Sequence, residues 1–394
     1  MESVAQEEAD RGRFAGIAAA IACVSVVGIG ISLSVPLLSL EMERMGISGT
    51  LIGLNTAIAG VASICVVPFV PRLAARIGVL PLLWGSILVS ALSLVAFKVL
   101  FDFAWWFPVR FVFSAALGTL FVLSEFWINA AAPPARRGFV MGIYATVLAL
   151  GFAGGPGLLA LVGTEGWLPY LAGAALFGVA SLPLLLAGRF SPEVGHATRP
   201  VFSFLRMAPA ATVAAFVFGA VETGAFALLP VYGLRLGFEA ASAAFLVSLM
   251  ALGNVAFQIP IGLLSDRFDR RRVLLCIGVF GAVGAALIPV ASANMPAFFA
   301  LLFVWGGVTG ALYTVGLAHL GARFRDADLV SANAAFVILY NVGLVIGPPL
   351  VGAGMDAVPP QGFAYALAGL LGFYVLVVGS RLAGAERAAV SVRS

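Results

Sequence analysis

Glu222, Arg110 and Glu125 are ionisable side chains set within long apolar stretches. A charge inside a bilayer is costly, so such residues face a partner or a water-filled cavity and mark routes for ions and solutes. Glu222, in Val221-Glu222-Thr223-Gly224, lies about ten residues from the nearer end of its stretch, roughly 15 Å deep by helix rise. Its short side chain cannot reach water from that depth, and a carboxyl so placed is suited to binding and releasing a proton. Arg110 follows Trp105-Trp106, a pair suited to an interfacial anchor. Its guanidinium is expected either to enter a cavity or to snorkel to the interface. Glu125 follows Arg110 by about four turns. Arg110, Ser114, Phe121 and Glu125 are therefore expected to form one cavity stripe. Glu125 is also within a turn of the end of its stretch, so an interfacial role is equally open to it. Trp305 and Tyr313 are spaced to share a helix face, an aromatic surface able to stack on an organic solute. The remaining intramembrane polar residues, among them Asn55, Tyr144, Asn254, His319, Tyr340 and Asn341, read singly as interhelical hydrogen-bonding groups.

These residues need membrane-spanning helices to hold them, and the composition provides for that. The 394 residues are 62% hydrophobic and 10% charged, against about 25% charged in a soluble protein. Apolar runs of spanning length for a hydrocarbon core about 30 Å thick fall at 14–38, 50–71, 79–101, 105–128, 138–162 and 167–188, then at 208–232, 241–265, 272–292, 296–320, 330–353 and 362–383. The expected fold is an all-α membrane protein of twelve transmembrane helices in two pseudo-symmetric six-helix bundles. The bundles are expected at 14–188 and 208–383, with a tail at 1–13, a Pro-, Ser- and Arg-rich central loop at 189–207 and a tail at 384–394. The first run is longer than the core of a signal peptide and is expected to stay in the mature protein. Cys23, Cys65 and Cys276 are solitary and read as small packing residues, with no metal spacing.

Twelve spans put both termini on one side. That side carries 18 of the 22 Lys and Arg. The opposite side carries Arg44, Lys98 and Arg235, and Arg110 lies within a helix. Lys/Arg bias sets the orientation of short loops, so both termini are expected in the cytoplasm of a multi-pass protein of a bacterial-type inner (plasma) membrane.

The halves repeat. A shift of 192 positions (343 − 151) carries Gly151-x-x-x-Gly155-Pro156 onto Gly343-x-x-x-Gly347-Pro348, Pro68 onto Pro260 and Gly118 onto Gly310. Matched bundles with a solute site between them are a known transporter plan.

The densest polar segment joins the eighth and ninth helices: Gly262-Leu263-Leu264-Ser265-Asp266-Arg267-Phe268-Asp269-Arg270-Arg271-Arg272. Its G-x-x-x-D-R-x-x-R-R pattern resembles the signature loop of the major facilitator superfamily of secondary transporters. Asp269 stands where that family usually has Gly, and the first-half copy has Ala74 in place of Asp266. The resemblance extends to Arg110-x-x-x-Ser114-x-x-x-Gly118, similar to the family's fourth-helix motif, and to the Gly-Pro pairs, similar to the fifth-helix motif of exporters. Glu125-Phe126-Trp127 also resembles the YcaD-like subfamily. The resemblance implies alternating access. It implies that Asp266 with Arg267, Arg270 and Arg271 closes the cytoplasmic side against a helix N-terminus, and that Gly151, Gly155, Pro156, Gly343, Gly347 and Pro348 shape the moving helices. It links Arg110 to proton coupling or to anionic groups.

No P-loop is present, and Lys98 is the only lysine, which excludes ATP as a drive in cis. No nucleophile–base or metal constellation stands out, so an enzyme is not expected. No cofactor or metal is expected. The leading expectation is proton-coupled antiport, in the export direction, of a small organic solute. Glu222 and Glu125 are the proton-coupling candidates; Arg110, Ser114, Trp305 and Tyr313 are the solute-contact candidates. Proton-coupled uptake of a small organic anion held by Arg110 is the alternative, and a channel-like facilitator is the alternative from another class. The expected partners are the solute, protons and the lipid bilayer, with no nucleic acid, and the expected state is a monomer.

Overall fold

Long apolar runs leave the backbone no hydrogen-bonding partner in lipid except itself, so they fold as helices. The computed structural model describes residues 2–100, 102–131, 137–186, 209–323 and 326–391, with side chains at some of these positions, 2–15 among them, outside the description. Among the described residues, eleven helices are long and apolar enough to span a membrane. The twelfth, the fifth in chain order, is Arg137–Val162, whose stretch Thr146–Val162 is apolar but shorter.

The spanning helices of the first half are Glu2–Arg44, Gly49–Val66, Val79–Val99, Phe103–Ala131, Arg137–Val162 and Leu168–Ala180, the last continued by Leu182–Leu186. Those of the second half are Pro209–Arg235, Ala240–Arg267, Arg270–Ala291, Met295–Arg323, Asp326–Ala357 and Gly362–Ser391. Several helices outrun their apolar cores. The first helix begins within the segment expected as a tail and continues past residue 38, the eleventh begins before its expected start, and the twelfth runs through most of the expected C-terminal tail. Polar residues of good helix propensity extend a helix beyond the hydrocarbon at no desolvation cost. The expected turn at 72–78 is largely the short helix Val70–Ile77, entered through a 3-10 turn at Val67–Phe69 that contains Pro68. The central loop expected at 189–207 falls outside the described residues.

The chain forms two compact units, Met1–Met42 with Ile58–Ala197, and Glu43–Ala57 with Thr198–Ser394. The end of the first helix and the start of the second thus belong with the second unit.

Glycine sets the close approaches within each unit. In the first, a Cβ at Gly151 would meet Gly28 Cα at 3.1 Å, and one at Gly155 would overlap Ser32 and Leu33. In the second, a Cβ at Gly343 would overlap the Phe216 carbonyl and one at Gly347 the Ala220 carbonyl. The fifth helix packs on the first as the eleventh packs on the seventh, so the sequence repeat is a repeated helix contact. Small residues permit this approach where lipid offers no hydrophobic drive to associate. Both helices continue through their prolines.

Candidate functional site

Phe218 and Glu222 are one turn apart on the seventh helix and so share a face. Gly219 lies beside them. A Cβ at Gly219 would overlap the Tyr340 carbonyl oxygen, so its absence lets the eleventh helix come close enough for Tyr340 to reach across. The Tyr340 hydroxyl donates to Glu222 Oε2 at 2.8 Å. No cation pairs with Glu222 among the described residues.

Aromatic rings surround this bond. Tyr340 stacks on Phe218 with centroids 5.9 Å apart. Tyr313, from the tenth helix, lies 5.6 Å from Phe218 and 5.6 Å edge-on from Tyr340. Phe336 closes the base 5.1 Å from Tyr313, in a buried core with Ala211, Ala215, Leu320 and Ala335. Glu222, Tyr313 and Tyr340 are half-buried, whereas Phe218 and Phe336 are buried. Packing holds the Phe218 and Phe336 rings in the interior, whereas Glu222, Tyr313 and Tyr340 each keep part of their surface exposed. Glu222 and Tyr313, expected separately, therefore share Tyr340 as a neighbour. Tyr340 was expected only as a hydrogen-bonding residue between helices, and Phe218 went unnoticed because one phenylalanine among 31 carries no signal.

Trp305 does not share this face. It is 1% exposed, and its Nε1 donates to the Gly281 carbonyl at 2.9 Å. A Cβ at Gly284 would meet its ring at 2.7 Å. It packs into the ninth helix. Drift of the true helical period over eight residues, together with a glycine groove that accepts an indole, separates it from Tyr313.

Arg110 lies in the first unit, 1% exposed, and neither terminal guanidinium nitrogen has a hydrogen-bond partner among the described residues. It does not snorkel. Ser114 is half-buried on the same helix, and Glu125, further along it, is exposed. Trp105 is 56% exposed, as an interfacial anchor requires, but Trp106 is buried, packed edge-on to Phe97 at 5.5 Å and donating to the Leu100 carbonyl. Of the cysteines, Cys23 is buried, whereas Cys65 and Cys276 are exposed.

Asp266 is in the last turn of the eighth helix and pairs with Arg270 at 2.9 Å, four residues on, with its side chain 65% exposed. Its expected partner at the start of the eleventh helix is not described at side-chain level. Asp269 caps the ninth helix, accepting from the backbone N–H groups of Arg271 at 2.8 Å and Arg272 at 3.4 Å. The departure from glycine at this position thus supplies a helix cap. Gly262 has open space around it, and Arg267 ends the eighth helix.

A second charged cluster lies at the opposite ends of the helices. Asp356, near the end of the eleventh helix, accepts from the backbone N–H of Gly49 and of Thr50, each at 2.8 Å, and from the Thr50 hydroxyl at 2.7 Å. These donors form the first turn of the second helix, whose orphan N–H groups and positive dipole end favour a carboxylate. Arg235 pairs with Glu43 through Nε at 2.8 Å and Nη2 at 3.0 Å, and its Nη1 lies 3.8 Å from Asp356. Gly352 and Gly49 allow the approach, since a Cβ on Gly352 would overlap the Gly49 carbonyl. Lys98, also at this end, pairs with Glu41 at 3.1 Å.

The Major Facilitator Superfamily model matches residues 20–254 and 211–391. Over 337 residues, the chain is 28% identical to the MFS-type transporter YfkF of Bacillus subtilis (strain 168), covering 82% of this chain and 85% of YfkF. It is 28% identical over 249 residues to the MFS-type transporter YcaD of Escherichia coli O9:H4 (strain HS), covering 62% of this chain and 63% of YcaD. Among solved structures, a mutant of the nucleoside transporter NupG superposes with a TM-score of 0.79 at 14% identity, covering 92% of this chain and 99% of that one. That likeness establishes the fold alone. The chain is a multi-pass membrane protein of the Major Facilitator Superfamily, a family of transporters and not of enzymes.

Proposed function

We propose that this transporter exchanges protons for a small organic solute in the export direction, with Glu222 carrying the proton. The observation that supports it best is the Glu222–Tyr340 bond: the carboxyl of a half-buried residue deep in a spanning helix, with one phenol donor and no paired cation among the described residues. Such a group is neutralised either by a proton or by its cargo, and exchange of the two links the gradient to the solute. Tyr313 contacts the solute beside it. Glu125 is the next proton candidate should Glu222 prove silent. In this reading the arginine bias places both termini in the cytoplasm of a bacterial-type inner membrane, and the protein works as a monomer of two six-helix bundles, 14–188 and 208–383, joined by 189–207. The Asp266 loop with Gly262, Arg267, Arg270 and Arg271 acts at the cytoplasmic face. The Asp356–Thr50 and Arg235–Glu43 contacts act as a clamp at the periplasmic face.

A second reading, proton-coupled uptake of an organic anion, is favoured by Arg110, whose terminal nitrogens, without a partner among the described residues and with Ser114 a turn away, suit an anionic group. The readings are separated by reconstitution into liposomes, using solutes found by a thermal-shift screen of metabolites and drugs. Antiport predicts accumulation only when the lumen is more acidic than the bath, with saturation and counterflow. Flux that neither saturates nor shows counterflow would make the protein a channel-like facilitator.

A further inference from the structure

The groups around Glu222 also constrain the cargo. A carboxylate within a membrane needs a neutralising partner, and no cation of the chain pairs with it among the described residues. Tyr340, which bonds it, packs with Phe218 and Tyr313, the three rings all within 6 Å of one another by centroid. Aromatic faces attract an organic cation through the ring quadrupole, and the attraction grows as the cation is desolvated. The same faces stack on rings and cover methylene groups. The side chains that these contacts bring together are a carboxylate, two phenols and a phenyl ring, none of which offers positive charge to an anion.

We propose that the solute class taken at this site is a protonated amine bearing a ring, its ammonium on the Glu222 carboxylate and its ring against Tyr313 and Tyr340, with Phe218 packed behind them. This rests on the reading of Glu222 as the proton carrier and adds the chemistry of the cargo. Ammonium and proton then compete for one negative charge. Arrival of the amine expels the proton, and protonation expels the amine, so the site exchanges one for the other.

The test is titration calorimetry on the purified full-length protein with 2-phenylethylamine, 3-phenylpropionate and 2-phenylethanol, in buffers of different ionisation heat. The amine is expected to bind in preference to the anion and the neutral alcohol, releasing about one proton per molecule bound. Glu222→Gln should abolish binding and release together. Glu222→Asp, which keeps the charge, should retain release at weaker affinity. Tyr313→Leu leaves the carboxyl in place and should weaken the amine about tenfold, in the range of a desolvated cation–π contact. It serves as the second variant if Glu222→Gln does not fold. Equal binding of 3-phenylpropionate, or amine affinity unchanged in the folded variants, would overturn the proposal. Failure of the amine to bind, alongside Glu222-dependent proton-driven flux of another solute, overturns the cargo class and leaves the coupling reading standing. Amine binding through Glu222 without proton release upholds the class and overturns the coupling.

Discussion

Glu43 and Arg235 are separated by 192 positions, the offset of the sequence repeat, and they form a two-pronged ion pair at 2.8 and 3.0 Å. Equivalent points at the ends of the first and seventh helices therefore carry opposite charges and meet. Asp356 stands beside the pair and holds the first turn of the second helix. This cluster is built much as the family's signature loop is expected to be, a carboxylate on a helix N-terminus with an arginine beside it, but at the other ends of the helices.

If this cluster works as the proposed periplasmic clamp, it must open for its own face to become accessible. Cysteines at Thr50 and Asp356, whose side chains now touch at 2.7 Å, are expected to form a disulfide that halts transport until a reductant is added. Asp356→Asn should lower stability by about 0.5–2 kcal/mol, the range for loss of a helix cap. Arg235→Gln should cost about 0.2–1 kcal/mol, since its partly exposed pair is screened by solvent. Transport that persists in the oxidised double-cysteine protein would show that these helix ends do not separate.

The glycines of the repeat and other helical glycines differ in environment, and substitution should follow that division. Gly155→Ala, Gly343→Ala and Gly347→Ala each bring a Cβ into backbone, with an expected cost of about 1–3 kcal/mol or more. Gly154→Ala and Gly262→Ala face open space and should be nearly neutral in a thermal melt. Equal destabilisation in both groups would contradict the repeated helix contact.

Much of this was legible in the sequence. Hydropathy located the spans, because a bilayer permits little other than helices of that length. The offset glycines marked the halves as equivalent, but which helices they pack against, the first and the seventh, came only from the structure. Glu222 stood out because a carboxylate at depth is rare. The partners of these residues were hidden. Tyr340 and Phe218 are ordinary residues of membrane helices, singled out only by where Gly219 lets the helices approach. Trp305 shows the converse: its spacing from Tyr313 predicted a shared face, but the groove at Gly281 and Gly284 took the indole instead. Asp356 and Glu43 carried no signal in the sequence, because what they pair with is set by three-dimensional packing.

Trp305 is therefore expected to act on stability and not on solute choice. Trp305→Phe removes a buried donor from the Gly281 carbonyl and should cost about 1–3 kcal/mol in unfolding. The ranking of transported solutes should be unchanged. A changed ranking at unchanged stability would return Trp305 to the solute site.

Arg110 is placed to separate the two transport readings. Arg110→Ala removes a buried guanidinium whose terminal nitrogens have no partner among the described residues. Under antiport of an amine at Glu222, amine exchange should survive at within a few-fold of the wild-type rate. Under anion uptake, anion flux should fall at least about tenfold, the loss of a charge-assisted contact. Flux of each solute class in liposomes reads the difference.

The central claim is that Glu222 carries the proton. Its most direct measurement is solute transport by Glu222→Gln in liposomes, under an imposed pH gradient and, separately, under solute exchange alone. The account predicts that pH-driven accumulation is lost while exchange down the solute gradient continues. Accumulation against the solute gradient at the wild-type rate would contradict it.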